Sequence, residues 1–123
     1  MQYIILIGDE NLTLDSVKAI NHYGSKHCHD VPEIRDRYCV DYGPDHIFYD
    51  YEKSIVNDLE KEDLNKIPFL KPHFITMVYT SKKRMEKVLR QDNFLRGIYV
   101  DNDYGLILPI EEFIALGMPV DTK

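Results

Sequence analysis

Residues 21–30 hold three of the five histidines and one of the two cysteines of the chain. Their sequence is Asn-His-Tyr-Gly-Ser-Lys-His-Cys-His-Asp. Imidazole, thiolate and carboxylate groups are the usual ligands of zinc. Alternate side chains of an extended segment point to the same side, so His27 and His29 could chelate one ion. His22 or Asp30 would then supply a third ligand. The alternative is a solvated loop, with His22 on the last turn of the preceding helix as a favourable cation. Because this ligand set is local and incomplete, we predict a loop that holds no native metal, and no cofactor.

A second group of candidate ligands follows the first apolar run. Asp9 and Glu10 come directly after a predicted strand, and ligands of open α/β sheets sit at the carboxyl ends of strands. Together with His27 and His29 they could form the metal site of a small hydrolase. One acidic pair is not a coordination sphere, so a solvated loop is the favoured interpretation.

A third group lies in an acidic, tyrosine-rich stretch. Tyrosine offers a large contact area at low entropic cost, and carboxylates steer a basic partner towards a surface. We therefore predict a protein-binding surface formed by Asp41, Tyr42, Asp45, Tyr49, Asp50, Tyr51 and Glu52. If Phe48 is buried, alternation along its strand leaves Tyr49 and Tyr51 partly exposed. The alternative is a sheet covered on both faces, in which these two tyrosines belong to the core.

The charge distribution narrows the class of partner. The net charge is −6, and residues 1–62 carry 13 acidic and 6 basic side chains, against 8 and 9 in residues 63–123. The acidic first half repels nucleic acid, so no nucleic-acid partner is expected. The apolar run 3–7 is too short for a signal peptide or a membrane span. Two cysteines eleven residues apart do not form a disulfide scaffold, so we expect a reduced, cytoplasmic protein with no membrane partner. The oligomeric state is left open.

The apolar patterns predict strands, helices and hairpins in a regular order. Continuous apolar runs at 2–8 and 73–80 indicate buried strands. Turn residues at 42–45 and 102–105 predict two hairpins, the first of them with strands at about 35–41 and 46–51. Helical spacing predicts helices over 13–23 and 81–91, an amphipathic helix bearing Ile55, Val56, Leu59 and Leu64, and a short helix that begins at Pro109 and ends before Gly117.

This order predicts an α/β fold, with α+β as the alternative. We expect one domain over 1–123, with a mixed sheet of about six strands formed by a β-α-β-β-α unit that occurs twice. The strand-helix-strand connections should be parallel and right-handed. The halves 1–67 and 73–118 align weakly, for instance Val40-Asp41 with Val100-Asp101, which indicates either a duplication or two similar hairpins. The predicted core contains Ile5, Ile7, Val40, Phe48, Ile75, Met77, Val78, Ile98, Val100 and Ile107.

No complete catalytic motif is present, so no catalytic residue is predicted. We expect a small non-enzymatic protein-binding module, of the immunity or inhibitor type, that binds a basic partner through the acidic hairpin. The alternative is the small metal-dependent hydrolase described above. The first interpretation depends on charge and size and on no motif.

Overall fold

The computed structural model describes residues 2–52 and 59–120. Within these ranges it contains seven strands and four helices. The strands are β1 (Gln2–Gly8), β2 (His27–Asp30), β3 (Arg37–Asp41), β4 (His46–Tyr51), β5 (His73–Tyr79), β6 (Tyr99–Asp101) and β7 (Ile107–Pro109). The helices are α1 (Leu14–Lys18), α2 (Lys61–Leu64), α3 (Lys82–Leu89) and α4 (Ile110–Ala115). No helix of the described residues is long and apolar enough to cross a membrane.

The seven strands form one sheet in the order β2-β3-β4-β5-β1-β6-β7. Every neighbouring pair is antiparallel, so the expected mixed sheet with parallel neighbours is wrong. The reason is that the connections through α1 and α3 pass over intervening strands, whereas β4 and β5, which have α2 between them in the chain, are antiparallel neighbours. After α1 the chain returns at β2, four positions away from β1, and after α3 it returns at β6, on the other side of β1 from β5. The chain is therefore a combination of helices and strands in which an antiparallel sheet dominates.

The sheet order does not repeat between the two halves of the chain. In the first half, the second strand of the hairpin, β4, lies beside the central pair β1 and β5. In the second half it is the first strand of the hairpin, β6, that lies there. The two predicted hairpins are both present, but the duplication and the doubled β-α-β-β-α unit are not confirmed.

The segment predicted to be a histidine-rich loop is in part a strand. Residues 27–30 form β2, which pairs with β3 and lies at one edge of the sheet. All four of its side chains are exposed. A strand exposed on both faces needs no alternation of apolar and polar residues, so the pattern that predicts a half-buried strand is missing here.

The helices differ from the predicted ones mainly in length. α1 begins after the expected Thr13 but ends at Lys18, before the predicted last turn that would carry His22. In α3 the Ser81 side chain accepts a hydrogen bond from the Arg84 amide, as an N-cap residue does. α2 is a single turn, and Ile55 and Val56 of the longer predicted helix lie outside the described residues.

The sheet has two unequal faces. The helix face, which α1, α3 and α4 cover, holds the larger core cluster, including Ile4, Leu6, Val40, Ile47, Tyr49 and Met77. On the second face a smaller cluster forms around Ile5, Ile7, Ile67, Phe74 and Ile107. Eight of the ten predicted core residues are buried, but Phe48 and Val78 are only partly so. Both of these point to the second face, because their strands bury the alternate set of side chains on the helix face.

Candidate functional site

The carboxylates of the β3–β4 hairpin are mostly paired within the protein. The Arg37 guanidinium donates from Nε and Nη2 to the two oxygens of Asp50, at 2.6 and 2.7 Å. Arg84 of α3 donates from Nε to Asp45 at 2.8 Å. These four side chains are only 16–22% exposed. The hairpin therefore presents much less free negative charge than its sequence indicates.

Asp41 is also held in place, at the end of β3. One of its oxygens accepts a hydrogen bond from the Gly43 amide at 2.7 Å and lies 3.2 Å from Nε2 of His46. The Gly43 amide is the main cause of a pKa for Asp41 below its ordinary value, with further contributions from His46, His27 and His29. The carboxylate is therefore ionised at neutral pH and lies in a histidine-rich environment.

Two of the predicted contact tyrosines belong to the core. Tyr42 is 2% exposed and Tyr49 0%, so neither can contact a partner of the folded protein. The expectation that Tyr49 is partly exposed is wrong, because β4 turns Phe48 towards the second face instead. Tyr51 is half-buried and Glu52 is exposed, so these two positions of the predicted surface are accessible.

His22 is a structural residue of the core. Its Nδ1 lies 3.2 Å from the Ile20 carbonyl oxygen and its Nε2 2.8 Å from the Tyr49 hydroxyl. A carbonyl can only accept, so Nδ1 carries the proton and Nε2 accepts the hydrogen bond of Tyr49. Burial lowers the pKa of His22 and raises that of Tyr49 well above its ordinary value. Both ring nitrogens of this neutral imidazole therefore have a hydrogen-bond partner within the protein, so His22 is not available as a metal ligand.

The other predicted metal ligands do not lie close enough together in the fold to form one site. His27 and His29 point to the second face, whereas Asp30 points to the helix face and accepts from Nζ of Lys18 at 2.7 Å. Asp9 and Glu10 follow β1, which lies four strand spacings, or about 19 Å, from β2. Among the described residues no group of three or more His, Cys, Asp or Glu side chains could hold a metal ion.

A cleft that the sequence does not reveal lies at the end of β4. We call it the Tyr51 cleft; its volume is about 230 Å³ and it is lined by Thr13, Leu14, Asp15, Asp36 and Tyr51. Asp15 lies in the first turn of α1 and Asp36 just before β3, and the Asp36 carbonyl accepts from the Tyr51 amide at 3.0 Å. The His73 ring meets the Tyr51 ring edge-on at 5.7 Å between centroids. Sequence analysis identified Tyr51 but not the two aspartates, because only the tertiary fold brings α1 to the start of β3.

The charges of the Tyr51 cleft are poorly compensated. Asp15 has no ion pair within 4 Å among the described residues, and Asp36 has only Arg35, at 3.8 Å. The Arg35 side chain is 96% exposed, and such long surface pairs contribute little. The exposed Glu52 follows Tyr51 in the chain. The cleft can therefore attract a cation.

Comparison with known proteins adds no functional information. No protein-family model, no curated protein and no solved structure matches this chain significantly. The function must be argued from the geometry alone.

Proposed function

We propose that this protein is a non-enzymatic binding module that receives a lysine or arginine side chain of a basic partner protein in the Tyr51 cleft. The observation that carries the proposal is that two acidic residues, Asp15 and Asp36, line one cleft together with Tyr51. An inhibitor or immunity-type protein that neutralises a basic enzyme would use such a contact.

The size and chemistry of the cleft support a single side chain as its occupant. Its volume of about 230 Å³ is below the roughly 300–1,000 Å³ of small-molecule sites. A cation that lies over the Tyr51 ring would gain a contact worth about 0.5–1 kcal/mol at an exposed site. The carboxylates add charge-assisted hydrogen bonds, which are stronger than neutral ones.

The contact surface therefore differs from the one that the sequence indicates. The acidic groups of the hairpin other than Glu52 already have partners within the protein, whereas those of the Tyr51 cleft are available. In this proposal the negative charge that attracts the basic partner comes from Asp15 and Asp36 rather than from Asp45 and Asp50. The free thiols Cys28 and Cys39, which point to opposite faces of the sheet, suit a reducing compartment, and we include the cytoplasm in the proposal.

Selection from a random peptide library tests the proposal. We expect the wild-type protein to enrich peptides with an anchoring lysine or arginine, with affinities that fall as salt rises. The double substitution Asp15→Asn/Asp36→Asn should weaken the binding of the enriched peptides by about tenfold. Glu111→Gln/Glu112→Gln is the matched control, because it removes two exposed charges from the first turn of another helix.

The outcomes distinguish binding in the cleft from a nonspecific effect of net negative charge. If the control variant loses as much affinity for the peptides as the cleft variant does, only net charge matters and the assignment of the cleft is wrong. If the enriched peptides lack a common basic residue, the protein does not select a cationic side chain. Circular dichroism must show that both variants fold, since Asp15 also stabilises the start of α1 by about 0.3–1 kcal/mol.

A further inference from the structure

We propose that a small cavity at the start of β1 binds the ammonium group of a small primary amine. We call it the Tyr79 cavity; its volume is about 100 Å³, and it is lined by Gln2, Tyr3, Tyr79, Asp103, Tyr104 and Val120. The cavity is separate from the Tyr51 cleft, because Tyr79 lies opposite Ile47 near the start of β4, whereas Tyr51 is the last residue of that strand. The two sites can therefore be tested separately.

The Tyr79 side chain brings an unsatisfied hydroxyl group to this cavity. The residue is 1% exposed, and its hydroxyl has no hydrogen-bond partner among the residues that the structure describes. Burial and then the Tyr104 hydroxyl raise the pKa of Tyr79, so these two phenol groups lie near each other at the cavity. Tyr104 is 54% exposed, and exposed side chains change rotamer within nanoseconds, which opens a path to the buried hydroxyl. A ligand that supplies the missing hydrogen bond removes the cost of burying this group alone.

The other polar groups of the cavity favour a positively charged ligand. Tyr3 donates its hydroxyl proton to Oδ2 of Asp103 at 2.6 Å, which leaves lone pairs free on the Tyr3 oxygen. This hydrogen bond is the largest of the causes that raise the pKa of Tyr3 to about 12, so the hydroxyl keeps its proton at neutral pH. No basic residue lines the cavity, and Asp103 has no ion pair within 4 Å in the described part of the chain. The cavity is therefore negative and rich in acceptors, which disfavours an anion.

A primary ammonium group matches these acceptors. It carries three N–H donors, and the Tyr79 oxygen, the Tyr3 oxygen and the Asp103 carboxylate can each accept one of them. Hydrogen bonds in which both groups are charged are stronger than neutral ones. A volume of about 100 Å³ corresponds to roughly three water molecules at ~30 Å³ each, so the cavity holds the ammonium group and about two carbon atoms. A longer chain would extend past the exposed Tyr104 ring into the solvent.

Titration with propylammonium, followed by NMR of the backbone amides, tests the proposal. We expect saturable shifts of the amides of Gln2, Asp103 and Tyr104. Tetramethylammonium carries the same charge but no N–H donor, so it should bind about tenfold more weakly or less well still. The amide of Nα-acetyl-lysine carries the same ammonium group on a bulkier molecule and should bind more weakly than propylammonium. If it binds more tightly, the cavity receives a lysine side chain of a partner, and the assignment of a free amine is wrong.

Substitutions of two lining residues test the acceptors. Tyr79→Phe and Asp103→Asn should each weaken the binding of propylammonium by about tenfold. Asparagine tolerates the left-handed backbone at position 103, where φ is 61°, so this variant keeps the turn. Tyr23 and Asp92 provide matched controls, because the Tyr23 hydroxyl donates to Asp92 at 2.9 Å outside the cavity. Tyr23→Phe and Asp92→Asn should retain the affinity of the wild type.

Several outcomes would overturn the assignment of the cavity. If propylammonium causes no saturable shift, the cavity holds only water. If tetramethylammonium binds as tightly as propylammonium, hydrogen bonding does not select the ligand. If Asp92→Asn weakens binding as much as Asp103→Asn does, net negative charge accounts for the affinity. Circular dichroism must show that each variant folds, and Asp15→Asn/Asp36→Asn should leave the binding of propylammonium unchanged.

Discussion

At the scale of single residues, the buried tyrosines differ in how their hydroxyl groups are satisfied. Tyr49 donates to His22, whereas the hydroxyls of Tyr42 and Tyr79 are buried without a hydrogen-bond partner among the residues that the structure describes. Burial raises the pKa of Tyr79 to about 12, in keeping with a hydroxyl that stays neutral. Two tyrosines of equal burial should therefore respond differently to loss of the hydroxyl group.

We expect Tyr49→Phe to lower the free energy of unfolding by about 1–3 kcal/mol, because it leaves Nε2 of His22 buried without a donor. Tyr79→Phe should be neutral or stabilising, since it removes a hydroxyl that has no partner. Urea unfolding of both variants measures the difference. Equal losses in the two variants would contradict the hydrogen bond between Tyr49 and His22.

His22 should make stability depend on pH. Burial lowers its pKa below the ordinary 6.5, so below that value the unfolded chain binds a proton that the folded chain does not. The stabilising contribution of the neutral ring is complete above pH 6.5 and is lost as the pH falls from there through the folded pKa. We expect the free energy of unfolding to fall as the pH is lowered from 7.5 to 5.5, and His22→Gln to reduce this slope. His46→Gln is the control, and the same slope in both variants would exclude His22 as its source.

At the scale of elements, local patterns predicted where most strands and hairpins lie, but not which side of β4 faces the core. The strand carries apolar side chains at Ile47 and Tyr49 and also at Phe48, so both alternating sets are compatible with burial. Tertiary packing decides, because α1 packs against β3 and β4 on the side of Ile47 and Tyr49. On the other side the Arg37 guanidinium and the His46 ring lie against the Phe48 ring.

Truncation of neighbouring residues in β4 tests this orientation. Ile47→Ala should cost about 2–5 kcal/mol, as for a fully buried side chain. Phe48→Ala should cost less, although it removes more atoms, because its side chain is already partly exposed to water. Chemical denaturation gives both values, and a larger loss for Phe48→Ala would show that the second face is the better packed one.

At the scale of the whole molecule, the order of the strands in the sheet could not be predicted from local sequence patterns. The runs that form β1 and β5 are adjacent and central in the sheet although most of the first half of the chain separates them. A helix between two strands commonly indicates parallel neighbours, but here other strands separate β1 from β2 and β5 from β6, and β4 and β5, which flank α2 in the chain, are antiparallel neighbours. The Tyr51 cleft has the same origin, since α1 meets the start of β3 and the end of β4 there. Features that depend on which distant segments meet left no signal in residue spacing.

The strand order predicts a gradient of hydrogen exchange across the sheet. Amides of β1 and β5 lie between two paired strands and beneath the core, so most of them should exchange only by global unfolding. β2 is exposed and paired on one side only. Because the Val31 amide donates to β3, the amides of Cys28 and Asp30 point away from the sheet and should exchange without any opening, about a hundredfold faster or more. Exchange measured residue by residue by NMR gives both rates. Protection of the Cys28 and Asp30 amides equal to that of β1 would mean that the edge is covered in solution, and the order of the sheet would no longer explain its stability.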